Sequence, residues 1–150
     1  MANSDLEIFS SRVLNAAVET VYEAFANPEY LKQWWGPTGF TNTIHEFDLR
    51  PGGKWLLTMH GPDVGNYENA SVFEHVEPFK LIAWQRLSQP KFAMEVAFDK
   101  VNEHRSSISF RMIFETKEEC DKIKRFAGPK NEENFDRLEN LLVKLKETDC

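Results

Sequence analysis

The chain has 150 residues, with 18 Lys and Arg against 24 Asp and Glu, a formal net charge of −6. That length sets one compact domain, residues 1–150, as the expectation, and lets about 70% of the unfolded chain's surface be buried. The densest basic group, Lys122, Lys124 and Arg125, is offset by Glu118, Glu119 and Asp121, so neither nucleic acid nor an anionic membrane is an expected partner.

The opening Met1-Ala2-Asn3-Ser4-Asp5 has no basic region with an apolar stretch behind it, so no secretory signal is expected. A first strand is predicted over Glu7 to Leu14. Asn15 is placed to cap a helix whose apolar residues Val18, Val21, Tyr22 and Phe25 fall at i, i+3, i+4 and i+7. Asn27-Pro28 ends that helix, because a residue before proline is pushed out of the helical region. A short helix over Glu29 to Trp35 follows and stops at Gly36-Pro37.

The middle of the chain alternates with period two. Trp55, Leu57 and Met59 share one strand face; Phe92, Met94, Val96 and Phe98 share another, opposite Ala93, Glu95 and Ala97. Ile108, Phe110, Met112 and Phe114 share a third, opposite Ser107, Ser109 and Arg111. Such alternation marks antiparallel strands with one buried face. Pro51-Gly52-Gly53, Gly61-Pro62-Asp63 and Asn102-Glu103 punctuate them as turns. Strands near Phe40 to Leu49, Tyr67 to Val76 and Leu81 to Leu87 lack a clear facing. The longest apolar run, Leu81 to Trp84, has four residues, whereas a membrane span needs about 20. The sequon Asn69-Ala70-Ser71 is read as coincidence in a chain with no route to glycosylation.

The last part is helical. Thr116-Lys117-Glu118-Glu119 is a capping box, followed by Ile123 and Phe126 at helical spacing. Gly128-Pro129 is predicted to stop that helix. Asn131 then caps a final helix to Glu147, with Phe135, Leu138, Leu142 and Leu145 on one stripe and Asp136, Arg137, Glu139, Lys144 and Lys146 on its polar face. The two cysteines, Cys120 and Cys150, are too few for a disulfide framework, and free thiols in the cytoplasm are expected. The expected class is α+β, with a curved antiparallel sheet of six or seven strands wrapped around the last helix.

Several segments resemble a known family: Trp34-Trp35-Gly36-Pro37, Gly39-Phe40-Thr41, Phe47-Asp48-Leu49-Arg50-Pro51-Gly52-Gly53-Lys54-Trp55, Met59-His60-Gly61-Pro62-Asp63 and Asn134-Phe135-Asp136-Arg137-Leu138. In order and nearly end to end, they are similar to the activator of heat-shock-protein-90 ATPase homologues. That family belongs to the START-like, or SRPBCC, superfamily, which includes birch-pollen-allergen-like proteins and polyketide cyclases. The resemblance implies a helix-grip fold with a cavity between sheet and helix, where superfamily members typically hold lipids, sterols, polyketides or hormones. The co-chaperones of the family carry an additional N-terminal domain that is not expected here, so the family name is not taken as the activity.

Catalytic and metal chemistry find little in the residues. His45, His60, His75 and His104 show no metal-ligand spacing, so neither a metal site nor a cofactor is expected. No Gly-x-Ser-x-Gly elbow is present. Gly52-Gly53-Lys54 reads as a hairpin turn and Cys120 as structural. His60 with Asp63 is a conceivable general-base pair, but an Asp in a turn ordinarily bonds local backbone. The aromatic and methionine stripe is more informative. Trp55, Met59, Met94, Phe110 and Met112 sit on inward strand faces, and Trp34, Trp35 and Phe135 can close the same space. With Leu57, Val96, Leu138 and Leu142 they form the candidate ligand-binding set.

The expectation is therefore a cytoplasmic protein, monomer or homodimer, that binds a small hydrophobic or amphipathic molecule without covalent chemistry. Two alternatives stand beside it. One is a protein-interaction module of the chaperone-activator kind, with a chaperone as partner and a filled interior. The other is a cyclase-like enzyme using cavity polar groups such as His60 or Tyr67.

Overall fold

The computed structural model describes residues 6–36, 38–62, 65–88 and 91–148. Strand β1 (Glu7–Leu14) leads into helices α1 (Val18–Ala26) and α2 (Pro28–Trp34). Six further strands follow: β2 (Thr41–Phe47), β3 (Lys54–His60), β4 (Asn66–Glu77), β5 (Leu81–Arg86), β6 (Ala93–Asn102) and β7 (Arg105–Ile113). Helix α3 (Lys117–Thr148) ends the chain's described part. All seven strands form one antiparallel sheet in the order β1-β7-β6-β5-β4-β3-β2. Bulges at Ile44/Glu46, Phe73/His75 and Lys100/Asn102 break the register; extra residues of this kind bend a strand and sharpen its twist.

The alternating residues do bury the predicted faces. Trp55, Leu57, Met94, Val96, Phe98, Ile108, Phe110, Met112 and Phe114 are all buried. On the opposite side, Ser107, Ser109 and Arg111 remain half-exposed. The strands whose facing was undetermined are resolved by their register. Ser71 stands opposite both Trp55 and Arg86, and Leu57 opposite Asn69. Cross-strand partners share a face, so Asn69, Ser71 and Arg86 lie on the concave side among the aromatic residues.

The helices differ from expectation in three ways. Asn15 does not cap α1; the N-cap is Ala17, without a side-chain hydrogen bond. The buried Ser106 hydroxyl instead donates to the Ala16 carbonyl at 2.8 Å, tying this junction to β7. Asn27 both ends α1 and caps α2, where its Oδ1 accepts from the Glu29 N–H at 3.0 Å and Pro28 takes the first turn. Helix α2 thus begins and ends one residue earlier than predicted.

The largest departure is at Gly128-Pro129, which does not stop a helix. Residues 117–148 form one helix with Pro129 inside it, so Asn131 is not a cap. Proline there removes one backbone donor. The clash that keeps a pre-proline residue out of the helical region comes partly from its Cβ, and Gly128 has none. The flanking turns are held by tertiary contacts: Cys120 and Ala127 are buried before the break, and Asn134, Phe135 and Leu138 after it. At the N-terminus of α3, Thr116 acts as the predicted cap, its Oγ1 accepting from the Glu119 N–H at 3.2 Å.

The polar stripe of α3 is only partly a solvated face. Arg12, on the inward side of β1, reaches Asp136 at 2.7 Å, Glu139 at 3.2 Å and Glu132, and lies 5.4 Å from the centre of the Phe135 ring. Burial alone lowers the Arg12 pKa, but the hydrogen bonds it donates to three carboxylates outweigh that and hold the guanidinium above its ordinary value. Arg137 points inward, as described below. Asp63 and Cys150 lie outside the described residues, as do the side chains of Phe126 and Lys146.

Candidate functional site

Helix α3 makes its principal backbone contacts with β1, α2 and α1 rather than with the central strands. The gap over β3 to β6 is bridged by side chains, and the loop after α2 delivers the chief one. Arg137 pins this loop: its guanidinium donates to the carbonyls of Gln33 (2.9 Å), Trp35 (3.1 Å), Gly36 (2.9 Å) and Phe40 (2.9 Å). Asn134, buried one turn away, donates to the Trp34 carbonyl at 2.8 Å and accepts from the Gly36 N–H at 3.3 Å. The last carbonyls of a helix lack internal partners; here Arg137 serves Gln33, Asn134 serves Trp34 and the Asn42 amide serves Lys32 at 3.0 Å. Gly36 has φ +94°, and a Cβ there would stand 2.7 Å from Met59 Cε. The conformation is what requires glycine, since the flexible end of Met59 can give way to a Cβ.

The clamp drives Trp35 into the concave interior. Its ring lies 5.6 Å from Trp34, 5.1 Å from Trp55, 5.9 Å from Trp84, 5.8 Å from Phe25 and 5.9 Å from Phe110. All five neighbours are buried, yet Trp35 itself keeps accessible surface. Other inward-facing residues share that property. Met59 on β3, Arg86 on β5, Phe92 before β6, and Ile123 and Asn131 on α3 are each half-exposed. The Asn131 amide donates to Ser10 Oγ at 3.3 Å and approaches Met112 Sδ at 3.9 Å, which fixes its direction toward the sheet.

A polar corner interrupts this apolar lining on β4 and β5. Asn69 is 7% exposed and Ser71 4%. The Asn69 amide donates to the Tyr67 carbonyl at 3.1 Å, while its Oδ1 and the Trp55 Nε1 are buried without a hydrogen-bond partner among the described residues. Arg86 lies beside them, its guanidinium 5.7 Å from the centre of the Phe92 ring. Burial lowers the pKa of Arg86, and the same cause acts on Arg137. A hollow of about 470 Å³ opens at this end of the sheet, lined by Arg86, Phe92 and Phe114 together with the charged Lys91 and Glu115 and residues of the outer face such as Gln85. Other hollows lie between α2 and the edge strand β2, about 430 Å³, and between β1 and α3, about 230 Å³.

The predicted ligand-binding residues fall into two groups. Trp35, Trp55, Leu57, Met59, Met94 and Met112 pack on the concave side of the sheet without lining any of these three hollows, and Phe110 and Phe135 are in ring contact at 4.7 Å. Trp34, Val96 and Leu138 are fully buried, the Trp34 indole committed to the Ala24 carbonyl at 2.8 Å, and Leu142 lines the hollow by β1. Sequence reading did not place Asn69, Ser71, Arg86, Ile123 or Asn131 on the concave side, and it put Phe92 on a shared strand face without including it in the set. The alternation Asn69, Ser71, Phe73 was visible, but its polar members concealed which face was inward.

His60 does not face the concave interior. Its Nε2 lies 2.8 Å from Thr43 Oγ1 and its Nδ1 2.7 Å from Asn66 Oδ1. His45 meets Thr58 Oγ1 at 2.8 Å, and Thr58 donates to Glu68 at 2.7 Å. These are networks on the outer face of the sheet. Tyr67 is exposed at the sheet's end beside Phe40. Among the described residues no cluster of three His, Cys, Asp or Glu is placed to hold a metal, and no helix is long and apolar enough to cross a membrane.

A seven-stranded antiparallel sheet curved around a C-terminal helix, with two short helices after the first strand, defines the α+β helix-grip class of START-like proteins. Within that class, residues 15–143 match the family described as Activator of Hsp90 ATPase homolog 1-like protein, and the chain belongs to that family. Solved structures agree on the fold. A protein from Nitrosomonas europaea superposes with a TM-score of 0.86 at 19% identity, covering 96% of this chain and 98% of that one. One from Arthrobacter aurescens gives 0.87 at 19% identity, over 96% and 90%. An AHSA1 protein from Silicibacter pomeroyi gives 0.75 at 15% identity, over 91% and 97%. No curated protein matches the sequence.

Proposed function

We propose that this protein binds a small amphipathic molecule between the concave face of the sheet and helix α3. The observation that carries the reading is Trp35: five buried rings surround it on the concave side of the sheet, yet it is itself only partly buried. Methionines 59, 94 and 112 supply adaptable walls beside it. Apolar burial of about 25 cal/mol per Å² supplies the affinity, less the costs of association.

The test is a Nile red titration followed by probe fluorescence and tryptophan emission, with mass spectrometry of small molecules released from the purified protein. Saturation at one site is expected. Met94→Trp and Met112→Trp are expected to weaken it by filling the space, with the fold retained. Without saturable binding, and with each substitution destabilising by about 1–3 kcal/mol as overpacking does, the ligand reading fails. A chaperone-type interaction surface then replaces it.

A further inference from the structure

The concave face of this sheet is not uniformly apolar, and its polar residues are grouped. The register aligns Trp55, Ser71 and Arg86 in one row across β3, β4 and β5, with Asn69 one pair further along β4. Ser71 and Asn69 are more than nine-tenths buried, and so is Trp55, whose Nε1–H has no acceptor among the described residues. Burying a polar group without a partner costs free energy, so such a corner is unlike ordinary core. Arg86 differs from its neighbours in being half-exposed, held over the Phe92 ring at the hollow of the sheet's end, which Lys91 and Glu115 also line. A guanidinium presents planar donors that match a carboxylate, and its neighbourhood of aromatic rings excludes water.

We infer that the ligand is an amphiphile carrying a carboxylate, which Arg86 binds with the Trp55 Nε1–H as a second donor, while the apolar body runs along Met94, Met112 and Trp35. This rests on the interior binding reading above and adds the chemistry of the headgroup. The charge of the chain as a whole is −6, so general electrostatic attraction does not favour an anion. Selection of one must come from this corner.

The experiment compares dodecanoate, 1-dodecanol and dodecylamine below their aggregation concentrations, each displacing Nile red from the intact protein at pH 8. Dodecanoate is expected to bind about tenfold or more tighter than dodecanol, the usual scale for one charge-assisted hydrogen bond, and dodecylamine weakest. Arg86→Leu is expected to bring the dodecanoate-to-dodecanol ratio close to one, and Arg86→Lys to keep part of the preference. Thermal melts check that both variants fold. Equal affinity of the wild-type protein for dodecanoate and dodecanol overturns the headgroup assignment while leaving interior binding standing. So does a ratio that survives Arg86→Leu. Failure of Nile red and all three amphiphiles to bind removes both. The wild-type series decides the matter even if Arg86→Leu does not fold.

Discussion

Asn134 on α3 and Trp34 at the end of α2 hold each other through the backbone: the amide donates to the Trp34 carbonyl at 2.8 Å, and its Oδ1 accepts the Gly36 N–H. Arg137, one turn further along α3, covers the neighbouring carbonyls. Two of the segments that carry the family resemblance, the one from Trp34 through Gly36 and the one from Asn134 to Leu138, therefore meet in space. Together they position Trp35, the residue on which the binding reading depends.

Arg137→Ala removes the donor held by the carbonyls of Gln33, Gly36 and Phe40, while the Trp35 carbonyl keeps the Asn42 amide at 2.8 Å. A loss of about 2–3 kcal/mol in unfolding free energy is expected. Arg137→Lys recovers only part, since an ammonium cannot fork to four acceptors in this geometry. Urea titration reads the stability. Nile red affinity should fall in both variants, because Trp35 loses its anchor. Wild-type stability in Arg137→Ala would show that the clamp is dispensable.

The loop between β2 and β3 contains two glycines with different requirements. A Cβ on Gly53 would collide with the Asp48 carbonyl oxygen, whereas Gly52, at φ +85°, has nothing within 4 Å. Gly53→Ala forces the backbone to move and should cost about 3 kcal/mol or more. Gly52→Ala meets only left-handed strain, about 1 kcal/mol. Chemical denaturation of the pair gives the ranking, and the reverse order would contradict the close approach at Gly53.

Pro129 is exposed in the middle of α3. Pro129→Ala restores a backbone donor and removes the ring from the helix interior. Up to about 3 kcal/mol separates the two residues there, partly offset by the freer unfolded chain. The melting temperature should rise. A fall would mean that the native path of α3 depends on the proline.

Burial raises the Tyr22 pKa, with the charge of Glu23 acting in the same direction. The folded state thus keeps the phenolic proton at a pH where the unfolded chain releases it. This contribution is complete below the ordinary tyrosine value of about 10 and is lost as pH rises above it. Unfolding titrations between pH 9 and 11 should show wild-type stability falling more steeply than that of Tyr22→Phe. Parallel curves would show that Tyr22 ionises freely in the fold.

Local pattern was enough for much of this architecture. The period-two residues of β3, β6 and β7 set their buried faces, because side-chain alternation is a property of a strand wherever it lies. The break between α1 and α2 followed from Asn27-Pro28, where the restriction acts on adjacent atoms. The Trp, Met and Phe stripe likewise announced an inward wall. Tertiary contact decided the rest. Gly128-Pro129 has the local chemistry of a helix end, yet α3 continues through it because residues buried on both sides, Cys120, Ala127 and Phe135, hold the two halves in line. Arg137 reads as a surface charge until α2 ends beneath it. Asn69, Ser71 and Arg86 have polar side chains that by pattern belong outside; only pairing with Trp55 across three strands turns them inward. Register joins residues distant in the chain, and no periodicity within one strand contains it.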